Sequence, residues 1–256
     1  MIMAITYGDE NFSQSLKDNL KSAIKYGKVD KTIGYGPRSI SEQFMKDNYE
    51  ILSAKRGAGY WLWKPWVVNE ALSQISNGDY LVYADSGSFY MKDVNILIDF
   101  MKNQCVEVFL GELEHNEAKY SKRDAFVYMG VDDKGFEKEK QYEASFLLIK
   151  KSESTVKFIK DWLRYSCDIR IISDNPNTCG LDNYPGFIQN RYDQTVLSLL
   201  AKKYGYKGFR PVDIKKENND KYPYPQIIVR TRFRNCNPIK YRVKVLKKKL
   251  EYYIGL

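Results

Sequence analysis

Residues 78–88 read GDYLVYADSGS, and the rest of the chain is organised around this stretch. Residues 80–84 are apolar, aromatic or β-branched, which predicts a buried strand. Asp85 follows directly, and the Ser-Gly-Ser after it is typical of a turn. Ligands of open α/β sheets bind outside the carboxyl ends of strands, where a carboxylate can hold a divalent cation against a diphosphate. Asp85 is therefore a candidate metal ligand, and an aspartate that only closes the turn is the alternative.

An aromatic stretch, GAGYWLWKPW at residues 57–66, comes before this strand. Pro65 suits the first turn of a helix, because its missing N–H costs nothing there. We expect that helix to continue to about residue 76 and to pack one apolar face on the sheet. The N-terminus of a helix favours anions, and the loop brings three side chains to it: Trp61, Trp63 and Lys64.

Together the two stretches resemble bacterial glycosyltransferases of capsule and lipopolysaccharide-type polysaccharide synthesis. Their usual pattern is close to G-Y-W-x-W-K-P followed by a strand that ends Y-x-D-x-G. The resemblance implies a GT-A-like fold, in which a Rossmann-type mixed α/β sheet flanked by helices binds a nucleotide sugar. It makes Asp85 the leading acid of a reduced D-x-D motif for Mn²⁺ or Mg²⁺, with Gly87 at the position of the second acid. We expect one of Trp61 and Trp63 to stack on sugar and the other to pack in the core.

Two later segments extend the resemblance. The sequence SKRD at residues 121–124 is similar to a T-K-R-D motif, which implies that Lys122, Arg123 and Asp124 face the donor or the acceptor. A capping box that opens a helix, with Ser121 as N-cap and Asp124 at the third position, is the alternative account of those two residues. The sequence NRYDQ at residues 190–194 is similar to H-R-x-D-Q, with asparagine in the first position.

Asp193 in this second segment is our first choice for a catalytic base. It follows a long loop, predicted over residues 171–189, and long loops are commonly functional, although an ordinary N-cap would also place an aspartate there. An inverting glycosyltransferase needs a base for the proton of the acceptor hydroxyl, whereas a retaining one does not. Glu143, in a strand predicted over residues 141–149, is our second choice. The sequence leaves the stereochemistry open.

The donor nucleotide is expected to lie against the loop after the first strand, which is predicted over residues 2–6, as in other Rossmann-like sheets. We interpret the donor as a nucleoside diphosphate sugar, with UDP as the nucleotide. The residues expected to bind it are Thr6, Tyr7, Gly8, Arg56, Trp61, Trp63, Lys64, Ala84, Asp85, Ser86, Gly87, Lys122, Arg123, Asp124 and Gln194. Of the basic residues among them, Lys64, Arg56 and Arg123 are expected to share with a metal the stabilisation of the leaving diphosphate.

Local periodicity predicts the other elements of a single α/β domain. A helix over residues 12–26 is expected to bury Ile24 among its apolar residues. Ser39 with Glu42 predicts a capping box at the start of the next helix. Residues 112–117 are polar and mostly acidic, which favours a loop.

Composition limits the class of protein. The chain has 256 residues, of which 43% are hydrophobic, and this is enough for one large domain. No run of 18 apolar residues occurs and the first residues lead straight into structure, so neither a transmembrane helix nor a signal peptide is expected. Four cysteines without a C-x-x-C pair and a single histidine argue against a zinc site and indicate reduced thiols in a cytoplasmic protein.

The C-terminal segment, residues 238–256, predicts a basic amphipathic helix that we set apart from the glycosyltransferase domain of residues 1–237. Its apolar stripe is formed by Val243, Leu246, Leu250 and Ile254, and six Lys or Arg residues lie between positions 240 and 249. Such a helix is typical of a peripheral protein that lies on an anionic membrane surface, here the inner face of the cytoplasmic membrane beside a lipid-linked acceptor. Packing of the stripe on the protein's own core is the alternative.

Two other classes of function compete with glycosyl transfer to a saccharide or lipid-linked saccharide. The net charge of +9 and an arginine-rich strand over residues 227–233 suit nucleic acid, but no helix-turn-helix, zinc or RRM pattern occurs, so no nucleic-acid partner is expected. A non-catalytic assembly protein of a polysaccharide complex could use the same fold. Asp85 and Asp193 favour an active enzyme, whereas Gly87 favours the inactive alternative.

Overall fold

The structure is a computed structural model that describes residues 1–215, 222–231 and 238–254. Its strands are β1 (Ile2–Tyr7), β2 (Lys31–Tyr35), β3 (Tyr80–Ala84), β4 (Ser88–Tyr90), β5 (Val108–Asn116), β6 (Lys140–Lys150), β7 (Gly208–Phe209) and β8 (Ile228–Arg230). Its helices are α1 (Ser13–Lys25), α2 (Glu42–Asp47), α3 (Tyr49–Leu52), α4 (Gly57–Tyr60), α5 (Trp63–Ser73), α6 (Asn95–Asn103), α7 (Glu117–Tyr120), α8 (Arg123–Tyr128), α9 (Glu153–Ser166), α10 (Ile169–Ile172), α11 (Asp193–Lys203) and α12 (Pro238–Ile254).

The main sheet has six strands in the order β2-β1-β3-β6-β5-β7. β1 pairs in parallel with β2 and β3, whereas β6 runs antiparallel to both of its neighbours, β3 and β5. The carboxyl ends of β1 and β3 therefore meet the first half of β6 at one edge of the sheet. This mixed sheet flanked by helices confirms the fold class predicted from the sequence.

Two apolar cores cover the faces of the sheet. On one face α5, α9 and α11 bury side chains such as Trp66, Trp162 and Leu197 against alternate residues of β1 and β3. On the other face α1, α6 and the small β4–β8 sheet pack around Phe100 and Phe109. Each fully buried side chain of this size contributes about 1.5–3 kcal/mol. The sheet edge at which Asp85 lies is therefore packed on both faces, by one core on each side.

Several local predictions need correction. Ile24 is exposed, because α1 turns it away from the sheet. Ser41, not Ser39, is the N-cap of α2, and its hydroxyl accepts from the Phe44 N–H at 3.3 Å. The acidic residues 112–117 were predicted as a loop, but β5 continues to Asn116 because β6 pairs with it there. Pairing between distant strands overrides the polar local composition in this segment.

The strand predicted over residues 227–233 is β8, and residues 232 and 233 lie outside the described residues. β8 pairs with β4 in antiparallel register, with Arg230 opposite Ser88. Thr231 then donates through both its N–H and its hydroxyl to the Gly87 carbonyl, at 2.6 and 2.9 Å. The C-terminal part of the chain is thereby attached to the turn that follows Asp85.

Candidate active site

Asp85 lies at the carboxyl end of β3, as the sequence predicts. Its N–H donates to the Ser145 carbonyl of β6 at 2.9 Å, and its carbonyl accepts from the Ser88 N–H at 2.8 Å, which closes the turn. The side chain is 45% exposed at this edge of the sheet, and we call the solvent-accessible space beside it the cleft. Backbone pairing thus fixes the position of a carboxylate that solvent or a ligand can reach.

Lys64 joins Asp85 to Asp193. Its Nζ lies 3.3 Å from Asp85 Oδ1 and 3.2 Å from Asp193 Oδ2, and it donates to the Ala144 carbonyl at 3.1 Å. The Lys64 and Asp193 side chains are each only 5% exposed. Burial lowers the pKa of Lys64, but the two carboxylates outweigh burial and raise it, so the ammonium stays charged.

Asp193 is the first residue of α11, not its N-cap. Tyr192 holds the N-cap position with φ 55° and ψ −122°, an unusual conformation for a non-glycine residue, and makes no side-chain cap. The Asp193 carbonyl accepts from Trp162 Nε1 at 2.9 Å, which fixes the backbone. Burial raises the pKa of Asp193 to about 6, even though Lys64 opposes the shift. Its Oδ2 is ion-paired with Lys64 Nζ at 3.2 Å and has no other partner within the described parts of the chain.

Tyr83 completes this group, and sequence reasoning missed it. Its hydroxyl donates to Asp85 Oδ1 at 2.7 Å. Burial, and then the charge of Asp85, raise the pKa of Tyr83 well above its ordinary value, so the phenol remains a donor. The signal was available, because side chains two apart on a strand point to the same face.

A divalent cation at this site would have few acidic ligands. Among residues 1–215, 222–231 and 238–254 there is no group of three or more His, Cys, Asp or Glu that could hold a metal ion. Mg²⁺ commonly binds through one or two carboxylates, with the remaining ligands from substrate phosphates and water. Asp85 can supply one such carboxylate, because its side chain is partly exposed. Tyr83 and Lys64 both contact the same oxygen, Oδ1.

Glu143 lies across the sheet edge from Asp193 and is paired with Arg230. The carboxylate accepts from the Arg230 guanidinium and, through Oε2, from Ser145 Oγ at 2.7 Å. Arg230 also lies 2.8 Å from Asp213, which holds it from the other side. Burial raises the pKa of Glu143, and Arg230 opposes that shift. No local pattern indicated the Glu143–Arg230 pair, because it joins positions 87 residues apart.

The predicted donor-binding loop packs an aromatic pair below the cleft. Tyr7, at the end of β1, stacks on Trp63 with ring centroids 3.8 Å apart, and both side chains are buried. Thr6 beside them is fully buried, and the neighbouring Gly8 is half-buried. Trp63 therefore has the core position expected for one of the two tryptophans.

Trp61, the other tryptophan, lies on a strained loop. Its φ of 60°, like the φ of 50° at Ala58 and Tyr60, is in the left-handed region that L-residues rarely adopt. The Trp61 and Tyr60 rings both stack on Tyr192, at 5.2 and 5.4 Å. Arg56 Nε donates to the Tyr192 hydroxyl at 2.9 Å. Two strained loops are thus packed together beside the cleft, and strain of this kind is concentrated at functional sites.

Residues 122–124 are placed against the long loop rather than at Asp85. The Asp124 carboxylate accepts from the backbone N–H groups of Thr178 and Cys179 at 2.9 Å. Lys122 Nζ donates to the Asn175 carbonyl at 2.7 Å, and Arg123 lies 2.7 Å from Asp132. Lys122 is itself the N-cap residue of α8 and makes no side-chain cap, so the capping box predicted here is wrong.

Gln194 supports the site from behind. Its Nε2 donates to Gln141 Oε1 at 2.7 Å, and its Oε1 accepts from the Ala144 N–H at 3.4 Å. The Ala144 carbonyl in turn accepts from Lys64. Ala84 and Ser86, on either side of Asp85, are buried, whereas Gly87 holds the chain of Thr231. The structure thus brings together Lys64, Asp85, Asp193 and Gln194 and leaves residues 122–124 with the long loop.

Comparison with known proteins gives distant structural likenesses. No protein-family profile matches the chain, and no curated protein matches it significantly. Mouse xyloside xylosyltransferase 1 is similar at 8% identity and a TM-score of 0.49, over 91% of this chain and 98% of that one. A glycosyltransferase involved in glycosylation of the major capsid of PBCV-1 is similar at 10% identity and a TM-score of 0.48, over 96% and 98%. The bifunctional glycosyltransferase WbbM is similar at 12% identity and 0.48, over 97% of this chain, which spans 44% of that one.

Proposed function

We propose that the protein transfers a sugar from a nucleoside diphosphate donor, a UDP-sugar, to a saccharide or lipid-linked saccharide in surface polysaccharide synthesis. One observation carries the proposal: the buried Lys64 ammonium contacts both the partly exposed Asp85 and the buried Asp193 at the carboxyl end of β3. Ligands of α/β sheets bind at this edge. The resemblance of residues 57–88 to polysaccharide glycosyltransferases supports the choice of substrate class.

Asp85 is the residue that would hold Mn²⁺ or Mg²⁺ against the donor diphosphate. Bound there, the cation supplies Lewis-acid stabilisation of the leaving diphosphate. Tyr83 and Lys64 both engage Asp85 Oδ1 and so fix the orientation of the carboxylate. Lys64 adds a positive charge on a buried ammonium, and such a charge is more effective there than in water.

Asp193 is the proposed base of an inverting transfer. The acceptor oxygen forms a bond to the anomeric carbon while the bond from that carbon to the diphosphate oxygen breaks, and the hydroxyl proton passes to Asp193. A pKa of about 6 leaves this carboxylate ionised at neutral pH yet basic enough to accept a proton. Lys64 holds the carboxylate in place, and Gln194 fixes the strand beneath it.

The location that follows from a lipid-linked acceptor is the inner face of the cytoplasmic membrane, where we propose that the protein is peripheral. Within the described residues, no helix is long and apolar enough to cross a membrane. A lipid-linked acceptor would present its saccharide at the membrane surface, within reach of a cleft that faces it.

Calorimetry with UDP and Mn²⁺ tests the donor site. Asp85→Ala should weaken UDP binding at least about tenfold, or 1.4 kcal/mol, because it removes the carboxylate nearest the proposed diphosphate. Asp99→Ala, which removes an exposed acid of α6 paired with Lys102, is the matched control and should bind as the native protein does. Equal affinity in Asp85→Ala would remove Asp85 from the site. Binding without release of UDP from any UDP-sugar would instead favour a non-catalytic assembly protein.

A further inference from the structure

Helix α12 carries an apolar stripe that the described residues leave exposed. Its members are 48–67% exposed and lie within about 100° of arc on a helix of 3.6 residues per turn: Val243, Leu246, Leu250, Tyr253 and Ile254. Large apolar side chains grouped in this way mark an interaction surface, whereas scattered ones need no explanation. The alternative left open by the sequence, in which the stripe packs on the protein's own core, does not hold for these residues.

The other side of α12 is attached to the body of the protein. The Tyr252 hydroxyl donates to the Gln226 carbonyl at 3.3 Å, and Lys215 Nζ donates to the Tyr252 carbonyl at 3.3 Å. Lys249 Nζ lies 4.1 Å from the centre of the Phe89 ring, on the strand that follows the Asp85 turn. The stripe therefore faces outward because the opposite side of the helix is the one that docks.

Charge selects the partner. Between residues 242 and 254 the helix has five basic residues, Arg242, Lys244, Lys247, Lys248 and Lys249, and a single acid, Glu251, which Lys248 pairs at 2.8 Å. On the helical wheel Arg242 flanks one side of the apolar stripe and Lys247 the other. Basic residues beside an outward apolar stripe are the composition of helices that lie flat in an anionic lipid surface.

We propose that this stripe, with its flanking basic residues, is the surface by which the protein docks on an anionic bilayer. Leu246, Leu250 and Ile254 enter the boundary between headgroups and acyl chains, and Arg242 and Lys247 contact lipid phosphates. The inference does not depend on glycosyl transfer, because it rests on exposure and charge alone. Since α12 is attached to β4 and Gln226, docking also fixes the distance between the bilayer and the Asp85 cleft.

Vesicle co-sedimentation of the full chain tests the proposal. The native protein should pellet with phosphatidylcholine vesicles that contain phosphatidylglycerol at low salt, and less at high salt, since screening weakens charge attraction. The double variant Leu246→Asp with Leu250→Asp should bind at least about tenfold more weakly, because it places two charges in the apolar layer. It leaves the contacts of Tyr252 and Lys249 in place, and a thermal melt checks that it folds.

A matched control distinguishes binding through this surface from non-specific binding of exposed apolar residues to vesicles. Ile24→Asp with Ile188→Asp makes the same chemical change at two exposed apolar residues outside α12 and should pellet as the native protein does. Equal pelleting of the α12 variant and the native protein would overturn the proposal. The proposal would also be overturned if light scattering showed that the native protein is a dimer and that the α12 variant is a monomer. The stripe would then be an interface between two copies of the chain.

Discussion

Two buried carboxyl groups flank Asp85, one on each face of the sheet, and they are paired in different ways. Asp193 meets a lysine that also contacts Asp85, so its partner belongs to the cleft. Glu143 meets Arg230, which Asp213 also holds, and it accepts a further hydrogen bond from Ser145. Burial raises the pKa of both carboxyl groups. Burial and a raised pKa therefore do not by themselves identify a catalytic base. The other contacts of the paired cation, Asp85 for Lys64 and Asp213 for Arg230, matter as much.

We propose that Asp193 accepts the proton and that Glu143 has a structural role. Lys64 divides its charge between two acids, and its ammonium meets Asp193 at Oδ2 and Asp85 at Oδ1. Glu143 has its Oε2 engaged by two donors, whereas its Oε1 has no hydrogen-bond partner in the described structure. The Glu143–Arg230 pair fastens β8 to β6. A reversed assignment would require the Glu143–Arg230 pair to open before each turnover, at the cost of leaving buried charges unpaired.

Asp193→Asn carries the largest expected effect. It keeps the shape of the side chain and removes the base, so turnover should fall about 10²–10⁴-fold. The variant should still fold. Its free energy of unfolding should be lower by about 1–3 kcal/mol, because the ion pair with Lys64 is weakened. Initial rates of UDP release and urea unfolding measure the two quantities.

Asp161→Asn is the control for this variant, since Asp161 is an ion-paired acid of α9 away from the cleft. It should keep native turnover. Transfer at the native rate by Asp193→Asn would show that Asp193 only holds Lys64, and the comparison between the two carboxyl groups would lose its functional meaning.

The pH dependence of kcat/KM gives a second, smaller effect. Because burial raises the pKa of Asp193 to about 6, the carboxyl group is protonated and inactive as a base below that pH. The value of kcat/KM should therefore rise with pH and level off above about 6, with a tenfold loss for each pH unit below. The same acidic limb should persist in Glu143→Gln. A limb that disappears in that variant would transfer the role of base to Glu143.

The sequence predicted the parts of this comparison that depend on local pattern. Apolar, aromatic and β-branched residues located β3, which was predicted over residues 80–84 and has these bounds. The turn residues after Ala84 placed Asp85 at the carboxyl end of its strand. A family-like motif pointed to Asp193, whose place beside Lys64 depends on how α11 packs on β6.

Side-chain pairs between distant segments could not be predicted in this way. Arg230 was noted only as part of a basic strand, because nothing local links it to Glu143. Asp124 matched a motif and a capping box, yet its carboxylate binds the backbone of the long loop. Such pairs follow from strand order and loop packing, which periodicity does not encode. The motif gave no information about the partners of the Asp124 carboxylate.

Glu143→Gln should have the smallest effect on transfer. It tests whether the second buried carboxyl group takes part in the reaction. Glutamine keeps the size of the side chain and an acceptor for Ser145, and Asp213 still pairs with Arg230. Turnover should stay within about threefold of the native value, whereas the free energy of unfolding should fall by about 1–3 kcal/mol, because a charge-assisted hydrogen bond is lost. Steady-state rates and urea unfolding of the same preparation separate the two effects. A large loss of turnover with native stability would place Glu143 in the chemistry, since a residue that only fastens β8 to β6 must act through the fold.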